Sequence, residues 1–129
     1  MILSKLKEAL LAFSAGRVTK KYPLVPLPPP DTLRGRLTID EYKCIGCGAC
    51  ANACPPRCII VTDPDQHTRV LEFFLERCTY CGRCQEVCPE EAVKLTPEFE
   101  LATNSRRDLY QRVEVFMGTC QRCGRCYQP

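Results

Sequence analysis

The first apolar pattern of the chain has the period of an α-helix. Four large side chains recur at a spacing of three, four and three residues, which places them on one helix face. They are Leu3, Leu6, Leu10 and Phe13. Lys5 and Glu8 fall on the opposite side, and Gly16 is a suitable helix end. The spacing predicts an amphipathic helix over residues 2–14, within an N-terminal segment of residues 1–17.

The next segment is rich in proline. Five prolines lie between Tyr22 and Pro30, and proline both fixes φ and removes a backbone donor. Residues 18–35 are therefore predicted to form an extended, polyproline-like spacer without helix or strand. Such a spacer favours docking of the helix on a partner protein. Adsorption to a membrane surface is a second interpretation, although the helix has little positive charge and few aromatic residues. Packing of the helix against the core of the chain is a third.

Short apolar runs between turn residues predict strands in the middle of the chain. These runs are Ile59–Thr62, Val70–Leu75 and Ala92–Leu95. Asp63–His67 has the composition of a turn, so the first two strands form a hairpin.

After Pro97 the pattern becomes helical. Ser105 can cap a helix with Asp108 in the reciprocal position. Three apolar side chains then share one face: Leu109, Val113 and Phe116. Residues 104–129 are thus predicted to form a helix followed by a short cysteine-rich tail.

The cysteine content indicates the chemistry, because 12 of the 129 residues are cysteine. That density in a short chain indicates a disulfide scaffold or a metal protein. The apolar run Ala9–Phe13 is far shorter than the ~20 residues of a membrane span, and Lys5, Lys7 and Glu8 interrupt any signal peptide. We therefore expect a cytoplasmic chain whose cysteines are thiols or metal ligands. A net charge of +3 without a dense basic block argues against a nucleic-acid partner.

The cysteines form two runs with identical spacing. The first run is Cys44, Cys47, Cys50 and Cys54 followed by Pro55. The second run is Cys78, Cys81, Cys84 and Cys88 followed by Pro89, so that Cys44 corresponds to Cys78. This spacing is typical of bacterial ferredoxins that bind 4Fe-4S clusters, in which the fourth cysteine ligates the other cluster. The duplication indicates two copies of one supersecondary unit.

The spacing predicts a crossed assignment of ligands. Cluster 1 takes Cys44, Cys47, Cys50 and Cys88, and cluster 2 takes Cys78, Cys81, Cys84 and Cys54. Residues 36–103 are then an α+β domain of the bacterial two-cluster ferredoxin type with a pseudo-twofold repeat. No ligand position is left open for substrate, so we expect no catalytic residue in this chain.

Two other interpretations compete with the two-cluster one. Zinc sites use C-x2-C pairs separated by longer gaps and do not require four-cysteine runs that end in proline. A disulfide framework needs an oxidising compartment, of which the sequence shows no sign. Both interpretations are therefore weaker than two clusters.

The remaining candidate ligands have alternative roles. Cys58 maps onto Ala92 in the repeat, so packing as a small buried residue is favoured over ligation. His67 lies in the turn and is expected to be solvated. The terminal thiols are Cys120, Cys123 and Cys126. They suit zinc or an incomplete third site completed by a partner or by Cys58, and an unoccupied tail is the alternative.

The two runs, together with Tyr22-Pro23 and Arg34-Gly35-Arg36, resemble the two-cluster ferredoxin-type subunit of respiratory complex I. They are also similar to its counterpart in membrane-bound group 4 NiFe hydrogenases and formate hydrogenlyases. The segment Glu100-Leu101-Ala102 and the tail Cys123-x2-Cys126 are more similar to the formate hydrogenlyase subunit.

The resemblance implies an electron-relay subunit on the cytoplasmic face of a membrane complex. It would pass electrons to the small cluster-bearing subunit, and its first helix would contact membrane-arm subunits. A quinone-reducing complex of the complex I type is the alternative. A free soluble ferredoxin and a zinc-stabilised module are two further classes.

Overall fold

The computed structural model describes residues 2–123 and 126–127, apart from the side chains of Thr119, Cys126 and Tyr127. Its strands form short antiparallel pairs. In chain order, the elements are α1 (Ile2–Ala15), β1 (Leu37–Ile39), α2 (Ala49–Asn52), β2 (Ile59–Thr62), β3 (Thr68–Phe74), α3 (Arg83–Glu86), β4 (Val93–Leu95), β5 (Tyr110–Phe116), β6 (Gly118–Thr119) and β7 (Cys126–Tyr127). Single 3-10 turns cover Leu75–Arg77 and Arg106–Leu109. The fold is a mixed helix and sheet structure of the ferredoxin-like type.

The strand pairing follows the repeat in the sequence. β1 pairs with β4, β2 pairs with β3, and both pairs are antiparallel. The offset along the sequence from Cys44 to Cys78 also maps α2 onto α3. The same offset maps the residue pairs of one strand ladder onto those of the other. The pair Ile59↔Phe73 corresponds in this way to the pair Val93↔Ile39. Each ladder therefore joins one strand of the first half to one strand of the second half.

The three strands predicted from apolar runs are present. β2 has the predicted bounds, β4 begins one residue later than predicted, and β3 begins two residues earlier and ends at Phe74. Residues 63–67 form the turn between β2 and β3. The core between these strands contains Leu37, Leu71 and Phe73, each 1% exposed. Four cysteines are buried beside them: Cys50, Cys54, Cys58 and Cys84.

The predicted helix after Ser105 is wrong. Only one 3-10 turn forms there, Ser105 makes no capping hydrogen bond with its side chain, and residues 110–116 are the strand β5. β5 pairs with β3 along its whole length, with Leu71 opposite Val113. The residues of β5 alternate, so that Val113 is buried whereas Arg112 and Glu114 are exposed. The edge of β3 determines that residues 110–116 form a strand, because only a strand can satisfy the backbone hydrogen-bonding groups along that edge.

The N-terminal helix α1 forms over almost the predicted range but buries none of its residues. Leu3 is 84% exposed and Phe13 is 91% exposed. The spacer that follows has no helix or strand. It contains a turn that is closed by the hydrogen bond of 2.9 Å from the Val25 N–H to the Lys21 carbonyl. Across residues 2–123 and 126–127, no helix combines the length and apolar character needed to cross a membrane.

Candidate functional site: two cysteine-lined cavities

The first cavity brings together cysteines from both runs. Its thiols come from Cys44, Cys47, Cys50 and Cys88. The walls between the thiols are apolar and include Leu71, Phe73 and Val93. Three thiols of the first run therefore face one thiol of the second run.

The second cavity has the reciprocal composition. Its thiols come from Cys54, Cys58, Cys78, Cys81 and Cys84. Phe73 lines this cavity as well as the first, so one aromatic ring borders both. The structure thus brings together each set of four cysteines in the predicted grouping and adds Cys58 to the second.

Local geometry explains how each run surrounds a cavity. Gly48 and Gly82 have φ values of 74° and 83°, in the left-handed region that glycine adopts without steric cost. These turns start α2 and α3, which carry the buried third cysteines Cys50 and Cys84. The first two cysteines of each run stay in the loop before the glycine, so the thiols approach the cavity from different directions.

The donor set fits an iron–sulfur cluster. Thiolates are the soft ligands that such clusters use, and four thiols around one cavity match the ligand number of a 4Fe-4S cluster. Within the described part of the chain, no three His, Cys, Asp or Glu side chains converge closely enough to hold a single metal ion.

Burial perturbs the thiols of the two cavities. It raises the pKa of Cys50 to about 12 and the pKa of Cys84 to about 11, and it also raises the pKa of Cys44. Hydrogen bonds from backbone N–H groups partly oppose this effect. A positively charged iron centre would favour the thiolate, so cluster binding would release protons from these groups.

Two arginines hold the cysteine loops. Arg69 donates from Nη1 to the Gly46 carbonyl at 2.9 Å, and Asp63 orients its guanidinium through contacts of 2.7 and 2.8 Å. Arg34 donates from Nη1 to the Cys81 carbonyl at 2.7 Å. Sequence reasoning missed the role of both side chains in the site, and only the motif around Arg34 was a signal. The contact joins residues 47 positions apart, which no local pattern predicts.

Comparison with known proteins decides the family. Models of the 4Fe-4S dicluster domain match residues 43–92 and residues 71–129. NADH-quinone oxidoreductase subunit I of Pseudomonas entomophila is 39% identical over 128 residues, which cover 88% of this chain and 70% of that protein. This chain belongs to the 4Fe-4S dicluster family that includes NADH-quinone oxidoreductase subunit I. It is accordingly an iron–sulfur protein, as the cysteine runs predicted.

Other members of the dicluster family extend the comparison. Formate hydrogenlyase subunit 6 of Escherichia coli is 43% identical over 111 residues, which are 85% of this chain and 62% of that protein. A chain in the structure of the membrane-bound sulfane sulfur reductase, an archaeal respiratory membrane complex, matches with a TM-score of 0.58 and 31% identity. That match covers 78% of this chain and 55% of the other. The chain thus spans between 55% and 70% of the length of these relatives.

The remaining candidate ligands lie in different places of this dicluster fold. Cys58 is 4% exposed, and its Sγ lies 3.3 Å from the Cys54 Sγ. Burial is the main reason why the pKa of Cys58 is raised. His67 is exposed, and its ring stacks on Phe116 with 5.9 Å between the ring centroids. The preference for packing over ligation at Cys58 stays a prediction, and its sulfur faces the cavity.

Cys120 and Cys123 line neither of the two cavities. Cys120 is half-buried and Cys123 is exposed. Backbone N–H groups of Cys123 and Arg122 hold the pKa of Cys120 below its ordinary value. The side chain of Cys126 lies outside the described residues. The metal site predicted from these three cysteines stays a prediction, to which the cluster family adds no support.

Proposed function

We propose that this chain relays single electrons through two 4Fe-4S clusters inside a membrane-associated hydrogenase complex similar to formate hydrogenlyase. The observation that carries the proposal is the pair of thiol-lined cavities on either side of Phe73. When bound, such clusters supply reversible one-electron oxidation and reduction. An electron relay needs two redox centres close together, which matches this arrangement.

The ligand sets of the proposal are crossed between the two runs. Cys44, Cys47, Cys50 and Cys88 would hold cluster 1, and Cys78, Cys81, Cys84 and Cys54 would hold cluster 2. The support is the composition of each cavity, which contains three cysteines of one run and the fourth cysteine of the other. Crossed ligation ties the two halves into a pseudo-twofold domain, so cluster binding and folding become coupled.

The surroundings of the thiols adapt them to this role. Apolar side chains such as Leu71 and Phe73 keep water from the cavities. The backbone N–H of Ala92 donates to the Cys88 Sγ at 3.2 Å, and that of Tyr80 donates to the Cys78 Sγ at 3.4 Å. Such hydrogen bonds stabilise the more negative, reduced state of a cluster, whereas burial in an apolar wall opposes it. The balance between them sets the reduction potential.

The exposed helix α1 is proposed to dock on neighbouring subunits of the complex. The most exposed apolar side chains of the chain include several of its residues, and the structure buries none of them. Docking there would place the chain on the cytoplasmic face of the membrane through membrane-arm subunits, with the small cluster-bearing subunit as electron acceptor. Relatives from respiratory membrane complexes support this assignment.

Replacing Leu10 with aspartate should release the chain from its complex. A charge in the middle of the apolar face of α1 opposes burial against a partner, whereas α1 contributes no residue to the core. Ala12→Asp introduces the same charge on the opposite helix face and is the matched control. We expect native electrophoresis of membranes to show Leu10→Asp outside the large complex and Ala12→Asp inside it. Equal assembly of both variants would contradict the docking role of the apolar face.

Metal and sulfide analysis tests the redox function directly. After anaerobic reconstitution, we expect about eight irons and about eight sulfides per chain, because two cubane clusters contain that number. Dithionite should bleach the visible absorbance and produce electron paramagnetic resonance signals of reduced clusters. A colourless protein that contains zinc would instead identify the structural module. More than eight irons would indicate a third site at Cys120, Cys123 and Cys126.

The two alternative functions are a subunit of a complex I-type complex and a free soluble ferredoxin, and assembly into a complex distinguishes them. A quinone-reducing complex of the complex I type is supported by the similarity to NADH-quinone oxidoreductase subunit I. A free soluble ferredoxin predicts a stable monomer in size-exclusion chromatography, without association through α1. The exposed apolar face of α1 favours the subunit of a complex, since a free shuttle between enzymes does not need such a face.

A further inference from the structure

The second cavity contains one more thiol than a 4Fe-4S cluster requires. Cys58 lines this cavity, and its Sγ lies 3.3 Å from the Cys54 Sγ. Cys58 shares the lining of this cavity with Cys78. Metal–thiolate bonds are about 2.3 Å long, so a small movement of this sulfur brings it within bonding distance of a metal held by Cys54.

The first cavity has no thiol at the position that corresponds to Cys58. The internal repeat maps Cys58 onto Ala92, which lines the first cavity. Ala92 lies beside Cys88, since its backbone N–H donates to the Cys88 Sγ at 3.2 Å. The fourth ligand of cluster 1 therefore has a methyl group as its neighbour where the fourth ligand of cluster 2 has a thiol. The molecule thus contains its own control for the role of this sulfur.

The backbone fixes the direction of the Cys58 side chain. Cys58 directly precedes β2, and its carbonyl accepts a hydrogen bond of 2.9 Å from the Phe74 N–H. With 4% exposure, the thiol is held in the wall of the cavity. A buried cysteine that only fills space is equivalent to another small apolar residue. Here the sulfur lies 3.3 Å from the ligand sulfur of Cys54, a contact that another small apolar residue could not make.

We propose that Cys58 is a reserve ligand of cluster 2, able to bind the iron that Cys54 otherwise holds. The inference rests on the crossed ligand sets of the proposed function. When the Cys54 thiolate is missing, the Cys58 S–H bond breaks, its proton passes to solvent, and the thiolate forms one new bond to the open iron. No electron is exchanged. The cluster keeps four thiolate ligands and an unchanged charge.

Single and double variants test the reserve ligand. After anaerobic reconstitution, Cys54→Ala should retain about eight irons, whereas Cys54→Ala/Cys58→Ala should retain about four. Alkylation followed by peptide mass spectrometry should find the 78–84 cysteines protected in the single variant and modified in the double variant. Cys58→Ala alone should retain about eight irons, because Cys54 is then present. The Cys54→Ser pair, with and without Cys58→Ala, repeats the comparison with a side chain of nearly unchanged size.

The matched control is Cys88→Ala, whose neighbour Ala92 has no thiol. Loss of one cluster in both Cys88→Ala and Cys54→Ala would overturn the reserve ligand and leave crossed ligation intact. Loss of one cluster in Cys88→Ala but not in Cys54→Ala supports the reserve ligand. Exposure of the 78–84 cysteines by Cys88→Ala would overturn the crossed ligand sets themselves. The iron content and the alkylation pattern therefore distinguish failure of this inference from failure of the proposed function.

Discussion

Replacing Cys88 with alanine is expected to remove the cluster of the opposite run. Cys88 belongs to the second run, but it lines the cavity formed by Cys44, Cys47 and Cys50. Its loss leaves three thiolates for one cluster, and no other thiol lines this cavity among the described residues. Iron should fall from about eight to about four atoms per chain.

Anaerobic alkylation shows which cluster the Cys88→Ala variant has lost. The 44–50 cysteines should become modified, and the 78–84 cysteines should stay protected. Cys123→Ala is the control, because Cys123 is exposed and lines neither cavity. It should retain about eight irons. Modification of the 78–84 cysteines in Cys88→Ala would show that each run holds its own cluster.

A methyl group at Gly35 is expected to destabilise the whole domain. A Cβ atom built on Gly35 would lie 2.1 Å from the Glu98 carbonyl oxygen and 2.7 Å from the Thr96 carbonyl oxygen. Both obstacles are backbone atoms, so no side-chain rotation relieves the clash. The Gly35 N–H also donates to the Thr96 carbonyl at 2.8 Å, which fixes the separation of the two segments. Gly35→Ala should lower the free energy of unfolding by about 3 kcal/mol.

Urea unfolding of the cluster-loaded protein measures this effect. The midpoint should fall, with circular dichroism and cluster absorbance lost together. Gly16→Ala is the matched control, because a Cβ at Gly16 meets nothing within 4 Å. Its φ of 61° makes alanine less favourable only at the exposed end of α1, so the midpoint of the domain should stay unchanged. An unchanged midpoint in Gly35→Ala would show that the strand ends separate without cost.

The clash at Gly35 also concerns the second cysteine loop. Arg34, the residue before Gly35, donates to the Cys81 carbonyl at 2.7 Å, and its guanidinium would lie 3.6 Å from a Cβ atom built on Gly82. Displacement of this segment would withdraw the guanidinium from the loop that surrounds the second cavity. Arg69 occupies a comparable place at the first loop through the Gly46 carbonyl. Each cysteine loop is thus hydrogen-bonded to another segment of the chain through an arginine side chain.

Local patterns predicted most of the small elements because they depend on neighbouring residues. The run Ile59–Thr62 forms β2, since a short β-branched run between turn residues has few alternatives. The period of Leu3, Leu6 and Leu10 predicted α1 for a similar reason. The helix predicted over residues 105–116 was wrong. Their apolar positions suit a helix face, but Val113 and Val115 equally suit a strand. The open edge of β3, which is remote in sequence, chose between the two.

The sequence by itself determined the cofactor class, because two cysteine runs with one spacing specify both ligand type and ligand number. It also indicated the family to which the chain belongs. Only the tertiary structure decided how Arg34 and Arg69 hold the loops, and that Cys58 faces Cys54 at 3.3 Å. Spacing along a chain describes only near neighbours. Contacts between segments that are distant in the sequence depend on strand pairing and burial, which exist only after the chain has folded.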